Sequence, residues 1–197
     1  MKARTILWGL TLAGGAAIVG RAALRTSEGP QVDAELFSMV NRGHGPGADR
    51  FFGGVTELGS LYAAGAAAGA LALTGERRTA IRALSAAGFT WLLGQAAKKL
   101  VVRSRPFQAD PDGTRRMIAE PAGTSWPSSH PAVLTTFTRV AARDLGLGVI
   151  SRSALSALDA SVATSRVYLG VHYPSDVVSG LLMGRAVARL WPGAKGR

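Results

Sequence analysis

Uncharged runs rich in small residues alternate with short clusters of charge along this chain. Thr5–Gly20, Leu58–Gly75 and Ala83–Ala97 contain no Asp, Glu, Lys or Arg. Runs of this length and uniformity predict helices buried in protein or lipid rather than amphipathic surface helices. Three later segments, about Pro131–Leu147, Ser153–Leu169 and Val177–Trp191, read the same way but carry charges. Those charges are patterned: Arg139 and Arg143 stand one helical turn apart, and so do Arg185 and Arg189. The pattern predicts an all-α, polytopic membrane helical bundle with about six transmembrane helices. Alanine and glycine richness permits close helix packing in lipid. It also keeps the mean hydropathy at +0.18, low for such a protein.

Alternating the six segments through a membrane gives a definite topology. The first runs outward from Met1-Lys2-Ala3-Arg4, and the second returns to the basic loop Gly75-Glu76-Arg77-Arg78. The third delivers Lys98 and Arg105 to the outer face, and the fourth starts there at His130 and carries Arg139 and Arg143 inward. The fifth ends outside at Arg166 and His172, and the sixth descends to Arg185 and Arg189. Lys2, Arg4, Arg77, Arg78 and Arg82 favour an internal N-terminus. The candidate active site is therefore expected at the outer membrane–water interface of a bacterial-type cytoplasmic membrane. Residues 1–25 also fit a cleaved signal peptide, although Gly20-Arg21-Ala22-Ala23 is a poor cleavage site. The stretch from Thr26 to Arg50, with its Gly and Pro, is expected to be an irregular outer connector, with His44 in a flexible loop.

Composition narrows the chemistry. The 197 residues suffice for one domain, and the absence of cysteine excludes disulfides, thiolate metal sites and cysteine nucleophiles. Of three histidines, two lie in the motifs described below, and no His/Glu/Asp cluster has metal-ligand spacing. Neither a metal nor another cofactor is expected. The formal charge of +11 suits anionic lipid surfaces and phosphorylated substrates. The basic residues are scattered among apolar runs, which argues against nucleic acid as a partner.

Three motifs carry candidate chemistry. Ser165-Arg166-Val167-Tyr168-Leu169-Gly170-Val171-His172-Tyr173-Pro174-Ser175-Asp176 holds the parts of a phosphoryl-transfer site. Arg166 can fork onto phosphate oxygens, His172 can attack phosphorus, and Asp176 can hold the imidazole in its nucleophilic tautomer. Pro174 suits a first helical turn, which returns Asp176 to His172. Taken alone, that pair also fits a helix-capping Asp beside a surface His. Pro127-Ser128-Ser129-His130-Pro131 reads as a tight turn opening a helix, whose outward N–H groups make an anion nest with His130 at its mouth. Lys98 and Arg105, seven apart before Pro106, share a helical face if the helix persists to Arg105. Lys99 and Arg103 read as a basic collar, Tyr168 and Tyr173 as interfacial aromatics, and Ser165 as a packing or capping residue.

In order, the motifs read Lys-(six residues)-Arg-Pro, Pro-Ser-Ser-His and Ser-Arg-(five residues)-His-(three residues)-Asp. This resembles the type 2 phosphatidic acid phosphatase superfamily, with Ser129 where the middle motif usually has glycine. Val32-Asp33 through Leu36-Phe37, Val40-Asn41, Asp49-Arg50-Phe51-Phe52, Val55-Thr56 and Leu58-Gly59-Ser60 look like the membrane members. The resemblance implies one integral-membrane phosphatase domain over 1–197, with a core at about 30–192. It implies that His172 is the nucleophile, that Asp176 accepts from its other ring nitrogen, and that His130 protonates the leaving oxygen and then activates water. Lys98, Arg105, Ser128, Ser129 and Arg166 would bind phosphate. The implied reaction is metal-independent hydrolysis of a lipid phosphate or pyrophosphate (polyprenyl pyrophosphate, phosphatidate or related) through a phosphohistidine, with membrane lipids as surroundings. A vanadate-dependent haloperoxidase-like enzyme, a soluble secreted acid phosphatase and a non-catalytic lipid-binding protein are the alternatives. The pattern assigns neither the particular lipid nor an oligomeric state.

Overall fold

The computed structural model describes residues 3–25 and 29–193. Among these residues it is all-helical, with no strand. The helices are α1 (Ala3–Arg25), α2 (Gly29–Asn41), α3 (Pro46–Val55), α4 (Leu61–Leu73), α5 (Arg77–Leu100), α6 (Pro106–Ala109), α7 (Ser129–Asp144), α8 (Val149–Tyr168) and α9 (Pro174–Leu190), with a 3-10 turn at Thr56–Gly59. Six of them, α1, α4, α5, α7, α8 and α9, lie on the six expected segments. Among the described residues, however, no helix is both long and apolar enough to cross a membrane by itself. The run expected from Leu58 is split: Ser60 Oγ accepts from the Ala63 N–H at 3.1 Å and starts α4 afresh.

Helix α7 is the centre of the bundle, packed by α5, α8 and α9. Every residue from Pro131 to Thr138 is buried. Thr136 is satisfied inside: its Oγ1 lies 2.9 Å from Thr90 Oγ1 of α5 and donates to the Ala132 carbonyl at 2.8 Å. The surrounding core is largely alanine, with Ala64 and Ala68 of α4, Ala80, Ala83, Ala86 and Ala87 of α5, and Val133, Phe137 and Val140 of α7. Small side chains bring the backbones close. Gly180 and Gly184 let α9 lie directly on α7, since a Cβ on Gly180 would stand 2.3 Å from the Ser128 carbonyl oxygen. Helix α1 packs along α9, where Ser179 Oγ donates to the Ala16 carbonyl at 3.2 Å.

The stretch expected to be an irregular connector instead holds α2 and α3, residues 26–28 lying outside those described. Gly45 has φ +91°, and Pro46 then opens α3 as its first residue, where a missing N–H and a fixed φ are no handicap. These helices are tied to the rest of the chain. Asn41 donates to the carbonyls of Tyr168 at 2.9 Å and Arg115 at 3.0 Å, and Asp49 accepts from Tyr168 Oη at 2.6 Å and pairs with Arg115 at 2.6 Å. Tyr168 is thus a buried core residue, 1% exposed, rather than an interfacial aromatic. His44 is exposed, with its ring stacked 5.7 Å from that of Tyr168.

Candidate active site

The chain order of the motifs translates into one end of the bundle. Lys98 sits in the last turn of α5, His130 in the first turn of α7, Arg166 in the last turn of α8, and Asp176 in the first turn of α9. Lys98 and Arg105 do not share a helical face. Helix α5 ends at Leu100, and Val101 is extended (φ −126°, ψ 104°). A β-branched pair, Val101-Val102, and a residue constrained by Pro106 make that an easy place to leave helical geometry. Arg105 becomes the N-cap of α6, and the chain itself turns it back to the site.

Lys98, Arg105, Ser129, His130, Arg166 and His172 line one cavity of about 500 Å³, together with Gly59, Tyr62, Trp91 and Gln95. Every charged residue on its wall is cationic. Arg105 is 1% exposed, and backbone carbonyls fix its position: Gly123 at 3.0 Å, Val171 at 2.9 Å and Ala122 at 3.2 Å. Arg166 donates to Thr56 Oγ1 at 2.8 Å, and its Nε is buried without a partner. The hydroxyls of Ser128 and Ser129 are likewise buried and unpartnered. As the first two residues of α7, Ser129 and His130 have no intrahelical carbonyl for their N–H groups. The Ser128 N–H is committed elsewhere, to the Asp176 carbonyl at 3.1 Å, and Ser128 is not on the cavity wall.

His172 stands just after the left-handed Gly170 (φ +79°), which ends α8 and turns the chain so that the His172 N–H reaches the Arg166 carbonyl at 3.2 Å. A Cβ at Gly170 would also lie 2.6 Å from the Arg115 carbonyl oxygen. The two ring nitrogens face different groups. Nε2 is 3.3 Å from Arg105 Nη1, an obligate donor, so Nε2 carries a lone pair and Nδ1 the proton. Nδ1 is 3.6 Å from Asp176 Oδ2 and 3.5 Å from Ser125 Oγ. Asp176 Oδ2 accepts from Ser125 Oγ at 2.5 Å and from the Tyr173 N–H at 2.9 Å. Burial pushes the His172 imidazole down to about 3, against the pull of Asp176. Burial, followed by the charges of Arg166, His172, Lys98 and Arg105, brings His130 down to about 2. Lys98 falls to about 8 for the same reasons, burial first and then Arg105 and Arg166.

Sequence reasoning also misjudged Arg103. It is 9% exposed, not part of a surface collar. Its Nη1 donates to Asp176 Oδ1 at 2.6 Å and Ser175 Oγ at 2.8 Å, and its Nη2 to Asp33 Oδ2 at 2.6 Å. Asp33 also accepts from the Ser175 N–H at 2.9 Å and from Ser175 Oγ. The guanidinium lies 4.2 Å from the Tyr173 ring centroid, so Tyr173 also belongs to this network. Lys99 is exposed, as a collar residue should be. Ser125 carries no motif signal; Asp33 and Thr56 had one, since Val32-Asp33 and Val55-Thr56 belong to the stretch that resembles the membrane members.

Three cations, two imidazoles and the unpartnered Ser129 hydroxyl around one cavity suit an oxyanion. The profile of the PAP2 superfamily matches residues 79–195, and the chain belongs to that superfamily. It is 33% identical over 122 residues to a decaprenylphosphoryl-5-phosphoribose phosphatase of Mycobacterium tuberculosis, covering 62% of this chain and 64% of that protein. It is 31% identical over 103 residues to an undecaprenyl-diphosphatase of Sulfolobus acidocaldarius, covering 50% and 47%. The matches thus span less than two thirds of these relatives' lengths. In fold it is similar to a transmembrane PAP2-type phosphatidylglycerolphosphate phosphatase from Bacillus subtilis, with a TM-score of 0.74, 22% identity and 91% of both chains covered.

Proposed function

We propose that this chain is an integral-membrane phosphatase that hydrolyses lipid phosphate or pyrophosphate esters through a phosphohistidine at His172. The observation that carries the reading is the shared cavity of Lys98, Arg105, Arg166, His130 and His172. Its lone-pair nitrogen Nε2 attacks phosphorus while Asp176 and Ser125 receive the Nδ1 proton's hydrogen bond and balance the charge growing on the ring. The bond from phosphorus to the leaving oxygen breaks, and His130 supplies that oxygen with a proton. Water then gives a proton to His130 and its oxygen to phosphorus, the N–P electron pair returns to Nε2, and inorganic phosphate leaves. Burial first, and then the surrounding cations, keep His130 neutral in the open site; a bound phosphate would cancel the cations' share, so substrate binding favours proton uptake by His130. Fixed guanidinium and ammonium groups stabilise the phosphoryl oxygens, the role a metal has elsewhere, so the reaction runs with chelator present.

The relatives' named activities support a polyprenyl-linked phosphate as substrate. Exposed apolar side chains on three helices, such as Leu7, Trp8 and Ile18 on α1, Leu73 on α4, and Ile81, Leu92 and Leu93 on α5, support contact with lipid. The six helices would then cross the bilayer together, with their polar positions facing one another. The cavity end would face outward, and the end bearing Arg77, Arg78, Arg82, Arg143 and Arg189 inward. The test is phosphate release by detergent-purified protein from a panel of polyprenyl and glycerolipid phosphates, with EDTA and the His172→Ala variant as controls. Release from at least one polyprenyl substrate that survives EDTA and disappears in the variant is expected. Release that requires a divalent metal, or that persists in the variant, contradicts the proposal.

A further inference from the structure

A second cavity, of about 390 Å³, opens at the other end of the same helices. Arg139 and Arg143 of α7, Arg152 of α8, and Arg185 and Arg189 of α9 line it, around the carboxylate of Asp159. Arg139 is nine residues past His130 on α7, which sets their backbones roughly 13 Å apart along the helix, and the two cavities share no lining residue. Arg143 is not free: it donates to Asp144 at 3.1 Å and caps the end of α9 through the carbonyls of Ala188 at 3.2 Å and Trp191 at 3.0 Å. The other four differ. Arg139 makes one long hydrogen bond, to Ser156 Oγ at 3.4 Å, and its Nε is buried without a partner. Arg185 Nε is also buried without a partner, and among the described residues Arg185, Arg152 and Arg189 form no ion pair.

Asp159 does not neutralise this group. It is 1% exposed, accepts from Thr138 Oγ1 at 3.1 Å, and makes no ion pair with Arg139 or Arg185 among the described residues. Four guanidinium groups against one carboxylate leave a strong surplus of positive charge in a half-enclosed space. Burying donors without acceptors costs stability, and a multidentate anion removes that cost. The planar guanidinium fork matches phosphate oxygens. Leu12 of α1 and Leu155 of α8 complete the wall, which gives the cavity an apolar side.

We propose that this cavity is a second anion site, distinct from the catalytic one, that binds a phosphate group. The phosphate of an anionic lipid headgroup and free inorganic phosphate share the required chemistry, and the apolar side suits the former. The test is thermal melting of the full chain in detergent micelles with phosphatidylglycerol, phosphatidylcholine or inorganic phosphate added. It is run on the wild type, Arg139→Gln/Arg185→Gln and Arg152→Gln/Arg189→Gln. Phosphatidylglycerol is expected to raise the melting temperature where phosphatidylcholine does not, with apparent affinity at least about tenfold weaker in Arg139→Gln/Arg185→Gln. A variant-sensitive shift with inorganic phosphate alone assigns the site to free phosphate. Arg152 and Arg189 are exposed, so their double variant reads the site even where the buried pair compromises folding. Shifts of the same size and affinity in wild type and every folded variant, or no shift with either anion, overturn the proposal.

Discussion

At the end of the bundle that holds His130 and His172, Arg105 donates to three carbonyls, Arg103 to two carboxylates, and Arg166 to Thr56. At the opposite end of α7, α8 and α9, Arg139 reaches one hydroxyl at the edge of hydrogen-bond range, and Arg185 reaches no partner among the described residues. Both groups are cationic, and Arg105 and Arg166, like Arg139 and Arg185, line a cavity. The difference is preorganisation: side chains held by the protein need no rearrangement as charge develops on a reacting phosphoryl group, whereas loosely held ones close around whatever anion arrives. Fixed cations suit turnover, and free ones suit binding.

The comparison breaks first at Arg103. Arg103→Ala leaves Asp33 and Asp176 buried without their counter-ion, with an expected loss of about 3–5 kcal/mol of stability. Activity should fall with it, because Asp176 loses the partner on Oδ1 that orients it. Lys99→Ala, four residues upstream and exposed, serves as the control; equal behaviour of the two in a denaturant melt contradicts the network. Next, Arg105→Ala or Arg166→Ala should each lower kcat by about 10²–10³, the size of a lost oxyanion donor, with little change in KM. A rise in KM alone would mean these cations bind substrate and transition state equally. Gly180→Ala tests whether the scaffold behind the site is rigid. The new methyl meets the Ser128 carbonyl, and a loss of roughly 1–3 kcal/mol is expected by thermal melting. Unchanged stability would show that α9 yields easily.

The smallest effect is a pH shift. Lys98 is lowered to about 8, so its charge is present below that pH and lost as pH rises through it. His172, at about 3, stays neutral through this range. We expect kcat/KM to fall above about pH 8, and Lys98→Arg to move that limb upward. A limb that stays in place in the arginine variant would assign it to another group.

The ordered motifs were legible because each spans a helix terminus: Pro174 is the first residue of α9, Pro131 stands in the first turn of α7, and Gly170 ends α8. The membrane-like segments were legible as helices but not as spans. In α7, threonines lower the hydropathy of a segment that faces protein on nearly every side, so a hydropathy window mistakes an interior position for a weak span. Helices α2 and α3 were hidden because Pro46 was read as a breaker when it stands at a helix start. Arg103 was hidden because its partners, Asp33 and Asp176, lie 70 and 73 residues away. A charge whose partner is that remote looks like a surface charge in sequence.

The central claim is that His172 becomes covalently phosphorylated and His130 helps release the phosphate. The most direct measurement is rapid acid-compatible quenching of wild-type, His172→Ala and His130→Ala protein with a phosphorus-labelled polyprenyl pyrophosphate, followed by recovery of base-stable, acid-labile label on the chain. A transient label in wild type, a persistent one in His130→Ala and none in His172→Ala is the predicted result. Label on the His172→Ala chain, or phosphate release by wild type with no labelled chain at any time, would contradict it.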